Sequence, residues 1–118
     1  MEELRKQWIT SEKEYREGEV FVYRQKFTAS QVKKAVFYGT ALGVYEAELN
    51  GTKIGSQMFA PGFSYYPRRV LYQTHEVTEL LREGENTLTV YLGQGWYCGR
   101  FLCENQTQIY GEQPAVAW

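Results

Sequence analysis

Apolar and polar residues alternate with a period of two through most of this chain, the spacing of strands that bury one face. Between Val20 and Phe27, residues Phe21, Tyr23 and Phe27 fall on one face, while Arg24 and Lys26 fall on the other. Val32 to Thr40 reads as a second strand. Val44 to Leu49 runs directly into Asn50-Gly51, a pair that tolerates the positive φ angles of a tight hairpin, so Thr52 to Gly55 is predicted to return beside it. Met58 to Gly62 carries the chain around a Pro-Gly turn. The alternation resumes over Arg68 to Glu76 and over Thr87 to Leu92, with Leu88, Val90 and Leu92 inward, and Pro114 to Trp118 reads as a last strand. Trp8-Ile9-Thr10 is a short apolar start, and the charged run from Ser11 to Glu19 reads as an exposed loop. One short helix is predicted, with Thr78 as its cap, Glu79 to Arg82 as its body and Gly84 as a left-handed terminator.

Short strands spaced about ten residues apart, with a single helical turn and no βαβ pattern, predict an all-β sandwich of jelly-roll topology. The 118 residues suit one domain spanning positions 1 to 118, large enough to bury about two thirds of its unfolded surface. A hydrophobic fraction of 43 %, with 16 % aromatic, predicts a packed core rather than disorder. Thirteen basic and 14 acidic side chains leave a net charge of −1, and no long run of one sign points to nucleic acid or to a membrane surface. No apolar stretch is long enough to span a bilayer. An apolar Trp118 standing in mid-strand makes the chain read as a piece excised from a larger multidomain protein.

The catalytic inventory is thin. Every acid is a glutamate, with no aspartate in the chain. Calcium loops rely on short carboxylates, so an EF-hand is excluded and any Ca²⁺ site would need carbonyls and glutamates. Cys98 and Cys103 are five apart, opposite-facing in an extended strand and too distant to bridge without a sharp bend. They read as two free thiols, too few for zinc, with the single histidine His75 remote in sequence. Glu46 and Glu48 share a strand face and would serve glycosidase chemistry only across a cleft, as would His75 in a triad only if partners converged on it. Gly93-Gln-Gly95 lacks the third glycine and following helix of a dinucleotide fingerprint. Asn50-Gly-Thr52 and Asn105-Gln-Thr107 are sequons.

Leu92-Gly-Gln-Gly-Trp-Tyr-Cys-Gly-Arg100 carries the sharpest local signal. Glycines cluster where a backbone bends tightly or admits a close neighbour, and here they surround Trp96 and Tyr97 at a strand end. A packed bend and a sugar-stacking platform both fit. The ten tyrosines, six phenylalanines and three tryptophans, including Phe63-Ser-Tyr-Tyr-Pro67, suit carbohydrate faces and domain interfaces alike.

An ordered series of motifs resembles the N-terminal β-sandwich domain of bacterial α-L-rhamnosidases of the glycoside hydrolase family 78 type. The segments are Trp8-Ile-Thr10, Phe27-Thr28, Ala41-Leu-Gly-Val-Tyr-Glu46, Leu49-Asn-Gly51, Ala60-Pro-Gly62, Arg69-Val-Leu-Tyr-Gln-Thr74, Glu83-Gly-Glu-Asn86, Leu92-Gly-Gln-Gly-Trp-Tyr97, Tyr110-Gly111 and Pro114-Ala-Val-Ala117. The resemblance implies a galactose-binding-type jelly roll within an inverting enzyme that removes terminal L-rhamnose. It also implies that the carboxylates of catalysis reside in a separate helical barrel, leaving this piece a non-catalytic accessory domain whose partners are the other domains. As an alternative it implies a carbohydrate-binding module for rhamnose or a related sugar, with Trp96 and Tyr97 stacking and Asn50, Gln94 and Glu46 as polar contacts. Where the family often has Trp and Asp, this chain has Phe63 and Tyr65; Gln94 and Glu76 also stand in for Asp. That departure disfavours Ca²⁺-assisted binding, so no cofactor is expected. A cytoplasmic bacterial parent is favoured over a secreted one.

Overall fold

The computed structural model describes residues 7–63, 66–99 and 110–118. Among these residues seven strands form two antiparallel sheets. They are β1 (Phe21–Ala29), β2 (Val36–Leu42), β3 (Val44–Leu49), β4 (Thr52–Lys53), β5 (Gln73–Glu76), β6 (Gly84–Gly93) and β7 (Ala115–Ala117). One sheet has the order β1-β6-β3-β4 and the other β5-β2-β7. The expected two-layer sandwich is what the alternation produces. In β6, Asn86, Leu88, Val90 and Leu92 are buried while their neighbours are partly exposed, and in β3 Tyr45, Ala47 and Leu49 are buried likewise. These residues meet Phe37, Ala41 and Val116 of the other sheet in one core. Val90 and Leu92 are fully buried, each worth about 1.5–3 kcal/mol of transfer free energy.

One crossing between the two sheets is made by a single residue. The chain leaves β2 at Leu42 and enters β3 at Val44, so Gly43 alone makes the crossing. Its φ is +137°, and a Cβ there would stand 2.3 Å from the Gly93 carbonyl oxygen. Only a residue without a side chain fits both demands. The Asn50-Gly51 hairpin forms as expected, with φ values of +52° and +84°, and joins β3 to β4.

Several local expectations are corrected. The second strand begins at Val36, because Val32, Lys33 and Lys34 are exposed and unpaired in any ladder. Of Arg68 to Glu76, Gln73–Glu76 forms the strand β5 and pairs with β2, while the Leu71 carbonyl accepts from Thr40 Oγ1 at 2.6 Å. The short helix is a 3₁₀ turn over Thr78–Leu80 with Val77 at its N-cap and no side-chain cap. Thr78 instead uses its Oγ1 to accept from the Ala35 N–H at 2.9 Å. Gly84 does adopt a positive φ, +90°, but it opens β6 four residues after the turn ends. The charged loop of residues 11–19 hides one buried residue, Tyr15. Ile9 bridges Val116 and so borders β7.

At one end of the sandwich a single amide organises two loops. Asn86 is 1 % exposed. Its Oδ1 accepts from the Arg82 N–H at 2.7 Å and from Asn50 Nδ2 at 2.8 Å, while its Nδ2 donates to the carbonyls of Arg82 and Gly84. Asn50 in turn donates to the Leu80 carbonyl and accepts from the Thr87 N–H. Every hydrogen-bonding site of Asn86 is therefore used, the condition under which a buried polar network rigidifies a fold.

Burial also raises two acid groups. The Cys98 thiol is pushed up to about 11 by desolvation, and the Tyr45 hydroxyl, which donates to Gln73 Oε1 at 2.7 Å, is pushed up to about 12. Both stay protonated in the folded chain at pH values where the unfolded chain already ionises. The Cys98 contribution is complete below the ordinary thiol value of 9.0 and is lost as pH climbs through about 11, and the Tyr45 contribution is complete below 10.0 and is lost as pH climbs through about 12. The melting temperature is therefore expected to fall between pH 9 and 11, and less steeply in C98A. A melting curve that is flat across that window, or an unchanged slope in C98A, would refute the assignment.

Candidate functional site

The glycine-rich segment after β6 becomes one turn of helix, α1 (Gly95–Cys98), with Gln94 at its N-cap. A helical turn follows this Gly93-Gln-Gly95 after all, although it is too short to cradle a phosphate. Gly95 has a φ of +52°, and a Cβ on it would lie 2.8 Å from the Val44 side chain and 3.0 Å from the Gly43 backbone. The turn is thus seated directly on the crossing between sheets.

Successive helical residues point about 100° apart, and this separates the two aromatics that the sequence sets side by side. Trp96 faces outward, 36 % exposed. Phe59 and Phe63 approach it edge to face, with centroid distances of 6.3 and 6.1 Å. The three rings form an apolar ledge on which Phe59 is 63 % exposed, and Met58, its neighbour in the chain, is 71 % exposed. Phe59 is held outward by a left-handed backbone, φ +55°. Tyr97 turns inward and packs against buried Tyr66 with centroids 5.1 Å apart, and its hydroxyl lies where a side chain on Gly111 would otherwise stand. Tyr66 also contacts the Tyr110 ring, and its buried hydroxyl has no partner among the described residues.

Beside the ledge an open cleft of about 400 Å³ runs between the N-terminal segment and the end of β6. Tyr15, Glu19 and Val20 line one wall, and Val44, Phe59, Gln94 and Trp96 line the other. The Tyr15 hydroxyl donates to Gln94 Oε1 at 2.6 Å across the two walls. The Glu19 carboxylate accepts from Lys13 Nζ at 2.8 Å and from the Arg16 N–H, and the Lys13 bond holds its pKa below the ordinary glutamate range.

Of the five residues singled out from the sequence, Trp96 and Gln94 line this cleft. Tyr97 sits behind it. Asn50 pairs with Thr87 at the opposite end of β6, six residues from Gly93 and so about 20 Å away. Glu46 projects from the outer face of β3, 3.7 Å from Lys53 Nζ. Glu48 shares that face and accepts from the Tyr91 hydroxyl. His75 stands in the other sheet, its ring lying over Gly55. Glu46, Glu48 and His75 are thus distributed over two sheets and do not converge. Among the described residues no three metal-ligating side chains gather, and the cleft's one carboxylate is already engaged, so these residues do not fit a Ca²⁺ ion. Cys98 is buried and free; Tyr65, Cys103 and Asn105-Gln-Thr107 lie outside the described residues.

Tyr15 is the site residue that sequence reasoning missed. Its signal was that it is the single aromatic in the charged run Ser11–Glu19. Nothing local tells where its ring goes, because its hydroxyl partner is 79 residues away.

Comparison with known proteins places this geometry in a wider set. Residues 30–118 match the family described as the alpha-L-rhamnosidase N-terminal domain. An alpha-L-rhamnosidase of Streptomyces avermitilis is 46 % identical over 86 residues, which cover 73 % of this chain and 8 % of that protein. One from Formosa agariphila is 35 % identical over 72 residues, covering 61 % and 8 %. Among solved structures, the native alpha-L-rhamnosidase of Aspergillus terreus superposes with a TM-score of 0.85 at 32 % identity, covering 92 % of this chain and 13 % of its own. The Streptomyces avermitilis enzyme complexed with L-rhamnose gives 0.75 at 42 % identity, covering 80 % and 9 %. The chain spans 8 % of the length of the relatives it matches.

Proposed function

Because the chain belongs to the alpha-L-rhamnosidase N-terminal domain family, we propose that it acts as a non-catalytic accessory domain of an α-L-rhamnosidase, an enzyme that hydrolyses terminal L-rhamnose from glycosides. Its role is to pack against other domains of the longer polypeptide, including a helical catalytic barrel. The observation that carries this is the ledge of Phe59, Phe63 and Trp96, three aromatic side chains in contact in one exposed cluster, with the exposed Met58 next to Phe59 in the chain. Contiguous apolar surface of this kind is characteristic of interaction sites. The edge-to-face contacts leave an interlocked, uneven surface that suits side chains of another domain better than a flat sugar ring. The separation of His75 in one sheet from Glu46 and Glu48 in the other supports the absence of bond-breaking chemistry in this piece.

A second reading is a carbohydrate-binding module that uses the adjoining cleft, and the exposed Trp96 beside Gln94 is what favours it. One set of measurements separates the two. For an accessory domain, the 118-residue chain self-associates at about tens of micromolar, M58S/F59S reverts it to monomer, and an aryl rhamnoside is hydrolysed only at background rate. L-rhamnose, added with or without Ca²⁺ to about 50 mM, then leaves the Trp96 indole N–H resonance unmoved. A saturable shift there would establish the second reading, and hydrolysis above background would sink both.

A further inference from the structure

The N-terminal segment preceding β1 lies outside the family match, which begins at residue 30, yet it supplies a wall of the cleft. Its course is set by bonds to the last strand. Ile9 exchanges backbone hydrogen bonds with Val116 at 2.8 and 3.0 Å, and Thr10 Oγ1 donates to the Pro114 carbonyl at 2.9 Å. Gln113 then fastens the backbone of three alternate residues with one amide. Its Nε2 donates to the carbonyls of Ser11 and Lys13, and its Oε1 accepts from the Tyr15 N–H. Beyond Tyr15 the chain reverses at Gly18, φ +84°, where Glu19 accepts from the Arg16 N–H and pairs with Lys13. Tyr15 is thereby driven inward, edge to face on Phe21 at 5.7 Å and 92 % removed from solvent, being 8 % exposed.

At the far side of that ring lies an element that cannot hold itself. A four-residue helix makes almost no intrinsic contribution to its own stability, and in α1 the Cys98 N–H reaches the Gln94 carbonyl only at 3.5 Å. Gln94 gives its own helix no side-chain cap. Its amide oxygen is taken by Tyr15 instead, at 2.6 Å. We propose that the segment Ile9 to Glu19 is a latch on the cleft, in which Tyr15, registered by Gln113, holds Gln94 and so sets the position of the helical turn that presents Trp96. Tyr15 is a positioning residue, acting through Gln94 rather than by contact with Trp96. The inference is independent of whether the cleft takes sugar or a neighbouring domain.

Hydrogen exchange on the 118-residue chain tests the latch. Y15F removes only the hydroxyl and Q94L removes the acceptor. Both are expected to speed exchange of the amides of residues 95–98 about tenfold while leaving those of β3 and β6 as they are. Q94E keeps an oxygen facing Tyr15 and is expected to retain wild-type protection at pH 7. Exchange at 95–98 unchanged in Y15F and Q94L would overturn the proposal. So would equal acceleration in β3 and β6, which marks a general loss of stability, or a loss in Q94E as large as in Q94L.

Discussion

Replacing Gly43 by alanine is expected to unfold this domain or bring it close to unfolding, with a loss of at least about 4 kcal/mol. Two penalties add. A φ of +137° lies in backbone territory that side-chain-bearing residues rarely adopt, at a cost on the order of 1–3 kcal/mol. The new Cβ also overlaps the Gly93 carbonyl oxygen at 2.3 Å, and that oxygen belongs to backbone, so no rotamer change relieves it. Against a typical total stability of about 5–15 kcal/mol, the shift in urea midpoint should be large. Gly51 provides the control. Its φ is +84° and a Cβ there meets nothing within 4 Å, so G51A carries only the backbone penalty of about 1 kcal/mol. Equal midpoints for G43A and G51A would show that the contact with Gly93 does not constrain the crossing.

The second large effect is expected at Asn86. N86A deletes a side chain that satisfies the Arg82 N–H, the Arg82 and Gly84 carbonyls and one donor of Asn50. Stranding several polar groups at a site 1 % exposed should cost about 3 kcal/mol or more. N86D is the more discriminating variant because it conserves volume and the acceptor oxygen. Its second oxygen would face two carbonyls that now receive hydrogen bonds, so at neutral pH it should be as damaging as alanine. The carboxyl would gain a donor on protonation, and the deficit should shrink as pH falls below about 5. Combining N86A with N50A should cost less than the sum of the singles, since the two share a hydrogen bond. Strict additivity in chemical denaturation would show that the two amides are not coupled.

Asn50 illustrates how one residue serves turn and network together. Its positive φ was readable from its place before Gly51, a matter of two adjacent residues. Its side chain is committed to Leu80, Asn86 and Thr87, and so it holds the end of the sandwich opposite the cleft. That commitment places it apart from Trp96 without any change in the turn that was expected.

The N-terminal segment carries the same lesson at longer range. Six charged residues in nine positions, Glu12, Lys13, Glu14, Arg16, Glu17 and Glu19, make up most of the run from Ser11 to Glu19, and such a run belongs to solvent by composition. Most of it is exposed. The exception is Tyr15, which the reversal at Gly18 and the grip of Gln113 turn toward Gln94.

What the sequence determined unaided is the set of features that depend on neighbours one to four residues apart. The period-two burial of β3 and β6, the Asn50-Gly51 hairpin and the two-layer class follow from side chains alternating across a pleated strand. The motif order added the family. What only the tertiary structure decided is pairing between distant segments. It settled that Gln73–Glu76 pairs with β2, that Thr78 serves Ala35 rather than its own helix, that Trp96 and Tyr97 part company on α1, and that Tyr15 closes on Gln94. Each of those outcomes turns on a hydrogen-bond partner or a cavity wall supplied by chain far away. Local propensity is silent about such partners, because the free energy that selects them exists only once the two sheets have met.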